Sequence, residues 1–260
     1  MYRIILVLIS VLSLLFLGLS QSSGDSINLA KDPAQRFLLV PDSTGNQIIH
    51  HTGYCLSYDE RAEQAEWVFY KLTTSSISVN IRRNNDYRED PLVYTGSARL
   101  EDYRYSGYDR GHMAPAGSMK MNSESMSHSF FMSNMSPQIP GFNRGVWKRL
   151  EEKVRFWVEN NDSIFVVTGP ILDDPIDSIG VNNVIVPRAY YKTLLAFKDG
   201  KVKGLGFFLP HSESNKSLYS FATSIDVIEE ITGIDFYHNL DSPIQEKAEN
   251  NSSVKTFINK

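Results

Sequence analysis

With 260 residues, 42% of them hydrophobic and 22% charged, the chain can bury a full core as one large domain or two small ones, and its composition excludes a wholly disordered protein. A single cysteine, Cys55, excludes an internal disulfide and any cysteine-based metal cluster, which leaves oxygen and nitrogen atoms to supply ligands. The net charge of −4 speaks against a polyanionic partner, but residues 81–155 hold 12 Lys and Arg against 9 Asp and Glu, a local basic excess inside an acidic chain.

Residues 1–20 are set apart from the rest. Arg3 precedes an apolar run at 4–19, and Gly18-Leu19-Ser20 leads to a cut site ahead of Gln21. The pattern predicts a signal peptide, or an N-terminal membrane anchor if the segment is not cleaved. The chain is therefore expected to be exported: secreted, periplasmic, or tethered to the membrane through residues 4–19. No cysteine follows the run, so lipid attachment there is excluded. Residues 21–44, rich in Ser, Asp and Gly, read as a linker. A folded domain is expected over 45–240, with 241–260 as a polar, loosely held tail.

Within the domain, residues 54–58 and 67–72 are short aromatic and β-branched runs around the charged stretch 59–66, the pattern of a strand pair. His50 and His51 stand at its entrance. Neighbouring side chains on a strand face opposite ways, so this pair is expected on the surface and not as a metal site. Residues 78–90 form a charged loop with Arg82, Arg83 and Arg88, of which Arg83 is the choice for reaching a phosphate. Residues 129–134 read as a buried strand stopped by Pro137 and Pro140. Trp147, Leu150, Val154, Trp157 and Val158 are spaced for one face of a helix over 146–158. Asn143 lies at the start of that helix, where Asn is a favoured cap. Glu151 is eight residues further on, about 80° round the helix, so both side chains can face one cavity. Strands follow at 163–168, 184–186, 190–197 and 202–208, the last two joined by the hairpin turn Asp199-Gly200, and then a helix at 220–233 stopped by Gly233.

The densest chemistry lies at 106–117, Ser-Gly-Tyr-Asp-Arg-Gly-His-Met-Ala-Pro-Ala-Gly. An imidazole takes a proton near neutral pH and a guanidinium forks onto phosphate oxygens, so Asp109, Arg110 and His112 read as phosphodiester chemistry, against a plain polar turn. Such chemistry needs a base for water, which His112 can be, and charge for the leaving oxygen, for which a hard cation on the Asn143 carbonyl and near Glu151 is suited. Arg83 and Arg110 would clamp the phosphate.

Four blocks, at 106–112, 131–138 (Phe-Met-Ser-Asn-Met-Ser-Pro-Gln), 142–151 (Phe-Asn-Arg-Gly-Val-Trp-Lys-Arg-Leu-Glu) and 167–170 (Val-Thr-Gly-Pro), resemble in order and spacing the DNA/RNA non-specific endonucleases, the family of endonuclease G and the Serratia-type nucleases. The resemblance covers residues 53–240. It implies an α+β fold with a ββα-metal (His-Me finger) core inside a mixed, largely antiparallel sheet flanked by helices. It further implies His112 as general base, Asn143 as the sole direct protein ligand of Mg2+ (with Mn2+ able to substitute), Glu151 orienting the metal's water, Arg83 and Arg110 on phosphate, and Asn134 supporting the site. By the same resemblance the substrates are DNA and RNA, single- or double-stranded, cut to 5′-phosphate and 3′-hydroxyl ends, and many members are homodimers. The acidic overall charge departs from the family's pattern. Two other readings stand beside this one: a protein that binds nucleic acid without cutting it, and a phosphodiesterase for another substrate.

Overall fold

The computed structural model describes residues 40, 41, 45–79 and 81–258. The leader expected at 1–20 and all but two residues of the linker expected at 21–44 lie outside them. In chain order the elements are β1 (Gln47–His51), β2 (Tyr54–Asp59), β3 (Gln64–Leu72), α1 (Thr74–Ser78), α2 (Leu100–Tyr103), β4 (Asp109–His112), α3 (Ser123–His128), β5 (Met135–Gln138), α4 (Lys148–Val158), β6 (Ser163–Ile171), β7 (Asp177–Ile179), β8 (Val184–Val186), β9 (Ala189–Lys198), β10 (Lys201–Pro210), β11 (Ala222–Thr223), α5 (Ile225–Thr232), α6 (Ser242–Glu249) and α7 (Val254–Ile258).

The main sheet runs β1-β2-β3-β6-β9-β10-β11, each strand antiparallel to its neighbour. Its central strands are apolar on both faces, and the period of two sorts their side chains into two cores. Val68, Tyr70, Ile164, Val166, Leu194, Leu205 and Phe207 meet α4 through Leu150, Val154, Trp157 and Val158. Trp67, Phe69, Phe165, Val167, Leu195 and Phe197 meet Ile225 and Ile228 of α5 and Ala248 of α6 on the opposite face. The result is an α+β sheet with helices on both sides, as the sequence led one to expect. Each apolar side chain that α4 seals against the sheet contributes on the order of 1.5–3 kcal/mol.

β4 and β5 form a separate two-stranded ribbon, pairing Asp109 with Gln138 and His112 with Met135. The ribbon docks on the sheet through buried polar groups: Ser136 Oγ donates to Gln64 Oε1 at 2.5 Å, and the Tyr190 hydroxyl donates to the Pro137 carbonyl at 2.7 Å.

Four expectations are corrected here. Residues 129–134 are not a strand: Met132–Asn134 make a short helical turn and pairing begins at Met135, with Pro137 inside the strand. β5 pairs only with β4, so the missing proline N–H costs no second ladder. The helix expected from 220 starts at Ile225, where Ser224 Oγ accepts from the Val227 N–H, and it ends as expected at Gly233, whose φ of +70° suits glycine. Residues 241–258 are not a loose tail, because Ala248, Val254 and Phe257 are buried and the Asn251 amide donates to the Gly204 carbonyl at 2.7 Å. His51 is not on the surface. His50 and His51 do face opposite ways, but the inward ring of His51 pairs with Asp90 at 2.7 Å and stacks on Phe131.

Candidate functional site

The ribbon, the turn after it and α4 surround an open cavity of about 1040 Å³ lined by Arg83, Tyr87, Asp109, Arg110, His112, Asn143, Arg144, Lys148, Glu151 and Arg155, among others. β4 places Asp109, Arg110 and His112 there because Gly111 lets it approach β5: a Cβ at 111 would overlap the buried Gln138 side chain. The chain beyond His112 is stapled by Asn134, which is fully buried and outside the cavity lining. Its Oδ1 accepts from the Ala114 N–H at 2.8 Å, and its Nδ2 donates to the carbonyls of Ala114 and Ser129 at 3.0 and 2.8 Å. Asn134 therefore positions the loop and does not reach the cavity's contents.

His112 is 9% exposed and packs edge-on against Phe130, with ring centroids 4.9 Å apart at 89°. Burial holds its pKa down to about 3; the Arg83 charge, and to a lesser degree that of Arg110, push the same way against a hydrogen bond to the Arg110 backbone. The imidazole is thus neutral at physiological pH. Its Nε2 is buried and has no hydrogen-bond partner among the described residues.

Both arginines are held by aromatic rings. The Arg110 guanidinium lies 4.3 Å from the Tyr87 ring centroid and that of Arg83 lies 4.8 Å from the Phe130 centroid. Arg83 also donates through Nη2 to the Tyr87 hydroxyl at 3.3 Å and through Nε to Asn85 Oδ1 at 2.6 Å. Tyr87 is therefore shared by both arginines, and its ring stands 5.8 Å from that of His112.

Asn143 does not cap a helix. It lies in a wide helical turn, Phe142–Trp147, that runs into α4, and its own N–H already donates to the Ile139 carbonyl at 2.9 Å. Phe142 anchors this turn by stacking on Trp147 and Tyr190. Asn143 Nδ2 donates to Asp109 Oδ2 at 2.9 Å, and Arg144 grips the same carboxylate at 2.8 and 2.6 Å. With the amide nitrogen committed, the Asn143 carbonyl oxygen is the group left for a cation. Glu151, in the first turn of α4, adds a carboxylate to the same wall. Burial raises its pKa, and the charges of Lys192 and Arg155 oppose that rise.

Lys192 is fully buried, donates to Thr168 Oγ1 at 3.0 Å and lies 4.5 Å from the Trp147 ring centroid, one turn of chain before Glu151. Burial lowers its pKa, while Glu151 counteracts this.

All the residues expected at a site except Asn134 thus line one cavity: Arg83, Asp109, Arg110, His112, Asn143 and Glu151. Arg82 is exposed outside it, and Arg88 is tied to Asp86 and Ser127. The sequence reading missed Tyr87, Arg144, Arg155 and the buried Lys192. A lysine inside the apolar run Ala-Tyr-Tyr-Lys-Thr-Leu-Leu-Ala-Phe was the available signal for the last.

Comparison with known proteins gives a consistent result. A family model described as DNA/RNA non-specific endonuclease matches residues 34–242. A nuclease of Syncephalastrum racemosum is 32% identical over 222 residues, covering 75% of this chain and 69% of its own. Human mitochondrial nuclease EXOG is 34% identical, covering 76% of this chain and 59% of that protein, and human mitochondrial endonuclease G is 31% identical, covering 75% and 70%. Among solved structures, one from the EndoG/EndoGI complex, described as showing the mechanism of EndoG inhibition, superposes with a TM-score of 0.72 at 30% identity, covering 76% of this chain and 89% of that one.

Proposed function

The chain belongs to the DNA/RNA non-specific endonuclease family, and from that premise we propose that it hydrolyses DNA and RNA phosphodiesters with His112 as general base and a divalent cation, Mg2+ or Mn2+, on Asn143. The observation that carries the reading is the buried Nε2 of His112, without a partner among the described residues and set in the wall of a cavity that it shares with the guanidiniums of Arg83 and Arg110 and the oxygens of Asn143 and Glu151.

In this reading the phosphate sits between Arg83 and Arg110, whose forks match its oxygens. Burial is the main cause of the lowered His112 pKa, and the phosphate's negative charge offsets the guanidinium repulsion that adds to it, so the imidazole becomes more basic as substrate arrives. His112 Nε2 takes a proton from the attacking water as the new P–O bond forms. The bond to the 3′ oxygen breaks and that oxygen takes a proton from solvent water, leaving a 5′-phosphate and a 3′-hydroxyl. The donor set fits a hard cation: a carbonyl oxygen whose amide nitrogen is pinned by Asp109, and a carboxylate in the same wall. When bound, such an ion supplies positive charge to the leaving oxygen. Asn143 would hold it and Glu151 would orient its water.

Phosphate contacts carry no sequence information, so cleavage is expected to be indifferent to sequence. The test is purified protein with supercoiled plasmid and with RNA, with Mg2+ and with excess EDTA. Both substrates should be cut with Mg2+ and spared with EDTA. Full activity in chelator would overturn the role given to Asn143.

A further inference from the structure

On the face of the sheet opposite α4, two helices bring three carboxylates together. Asp226 and Glu229 are three residues apart on α5 and so share one face, and Glu249 is the last residue of α6. One oxygen from each lies within 4.8 Å of the other two. Oxygens 2.3–2.6 Å from a shared calcium ion are at most about 5 Å apart, so this spread is that of a coordination shell.

A second observation points the same way. Glu249 is only 5% exposed, and its Oε1 is buried with no partner. The neighbouring charges that act on it, Glu229, Asp235 and Asp226, are acidic. It also stands at the carbonyl end of α6, where a negative charge is disfavoured. The remaining contacts are few: Glu229 Oε1 accepts from the Phe236 N–H at 2.8 Å, Asp226 Oδ2 faces the Asn250 amide at 3.4 Å, and Glu249 has a hydrogen bond with Gln245.

We propose that Asp226, Glu229 and Glu249 form a binding site for a calcium-class divalent cation that clips α6 to α5. Calcium fits better than magnesium because its shell is larger and irregular, and the half-exposed Asp226 and Glu229 leave room for water to complete it. The site lies across the sheet from the catalytic cavity and is independent of the nuclease reading. Its role is to hold the C-terminal helices, whose Ala248 carbonyl packs against Gly204 of β10.

The test is calcium titration of the chelator-treated full chain at pH 7.5, read by calorimetry and by thermal unfolding, on wild type, Asp226→Asn, Asn143→Ala and Glu249→Gln combined with Asn143→Ala. Calcium at a hundred times its dissociation constant should raise the wild-type midpoint by about 5–10 °C. Glu249→Gln is isosteric with the protonated acid and, placed in the Asn143→Ala background that removes the cavity's cation ligand, should fold while losing both the binding heat and the shift. Asp226→Asn, at a half-exposed position, should weaken both, and Asn143→Ala should keep both. No calcium-dependent shift in wild type, a shift that survives Glu249→Gln in the Asn143→Ala background, or one that vanishes in Asn143→Ala alone would overturn the proposal.

Discussion

Tyr87 offers the sharpest dissection of the cavity, because one ring supports both arginines. Tyr87→Phe removes only the hydroxyl that accepts from Arg83 at 3.3 Å, and Arg83 keeps its bond to Asn85 and its place over Phe130. An exposed charged hydrogen bond of this kind contributes about 0.5–1 kcal/mol once solvent screening is allowed for, so kcat/KM should fall about two- to fivefold. Tyr87→Ala also removes the ring 4.3 Å from the Arg110 guanidinium, about 0.5–1 kcal/mol, and the edge-to-face contact with Phe130 at 5.0 Å and 88°, about 0.5–1.5 kcal/mol. Together these losses come to about 1.5–3.5 kcal/mol, or roughly 10- to 400-fold in kcat/KM. The assay is initial-rate cleavage of a fluorogenic oligonucleotide, with urea unfolding on the same preparations. A folded Tyr87→Ala within threefold of wild type would refute the idea that this ring positions the phosphate clamp, as would a Tyr87→Phe as impaired as the alanine variant.

Gly111→Ala places a Cβ into buried Gln138 and must shift β4, so it should cost about 1–3 kcal/mol in urea unfolding and, by displacing the adjacent His112, about 100-fold in kcat. Wild-type turnover in that variant would show that β4 has slack. Lys192→Met keeps a long side chain over Trp147 but removes a positive charge that holds the Glu151 pKa down, leaving burial to raise it further. Glu151 then stays protonated to higher pH, and the acidic limb of the kcat/KM profile should move to higher pH, whereas an unmoved limb would mean that the two charges do not communicate.

The central strands of the main sheet, β2, β3, β6, β9 and β10, were legible because a short apolar run rich in aromatic and β-branched residues suits a strand buried on both faces, and the Asp199-Gly200 hairpin names its own turn, whereas the edge strands β1 and β11 carry no such run. Residues 129–134 were not, because a short apolar run does not say where its side chains go. Phe130 packs beside Ala116 and Met126, and Met132 beside Tyr103 and Met135, a divergence that a helical turn permits. The C-terminal segment misled by its charges: Val254 and Phe257, three apart, are the two apolar anchors of a short helix among polar neighbours. Of the site, the motif around His112 and the pair Asn143 and Glu151 could be read locally. Tyr87 and Lys192 could not be placed, since each reaches the cavity region from an element remote in sequence, one from a charged loop and one through the floor of the sheet.

The most direct measurement is cleavage and binding by His112→Ala on a single preparation, with nucleic-acid affinity read in calcium or EDTA and turnover in Mg2+. Turnover should drop by about 10²- to 10⁴-fold, the scale of a lost general base, with affinity unchanged within a factor of two. Near-normal turnover, or turnover and affinity falling together, would contradict the assignment of His112 Nε2 as the base.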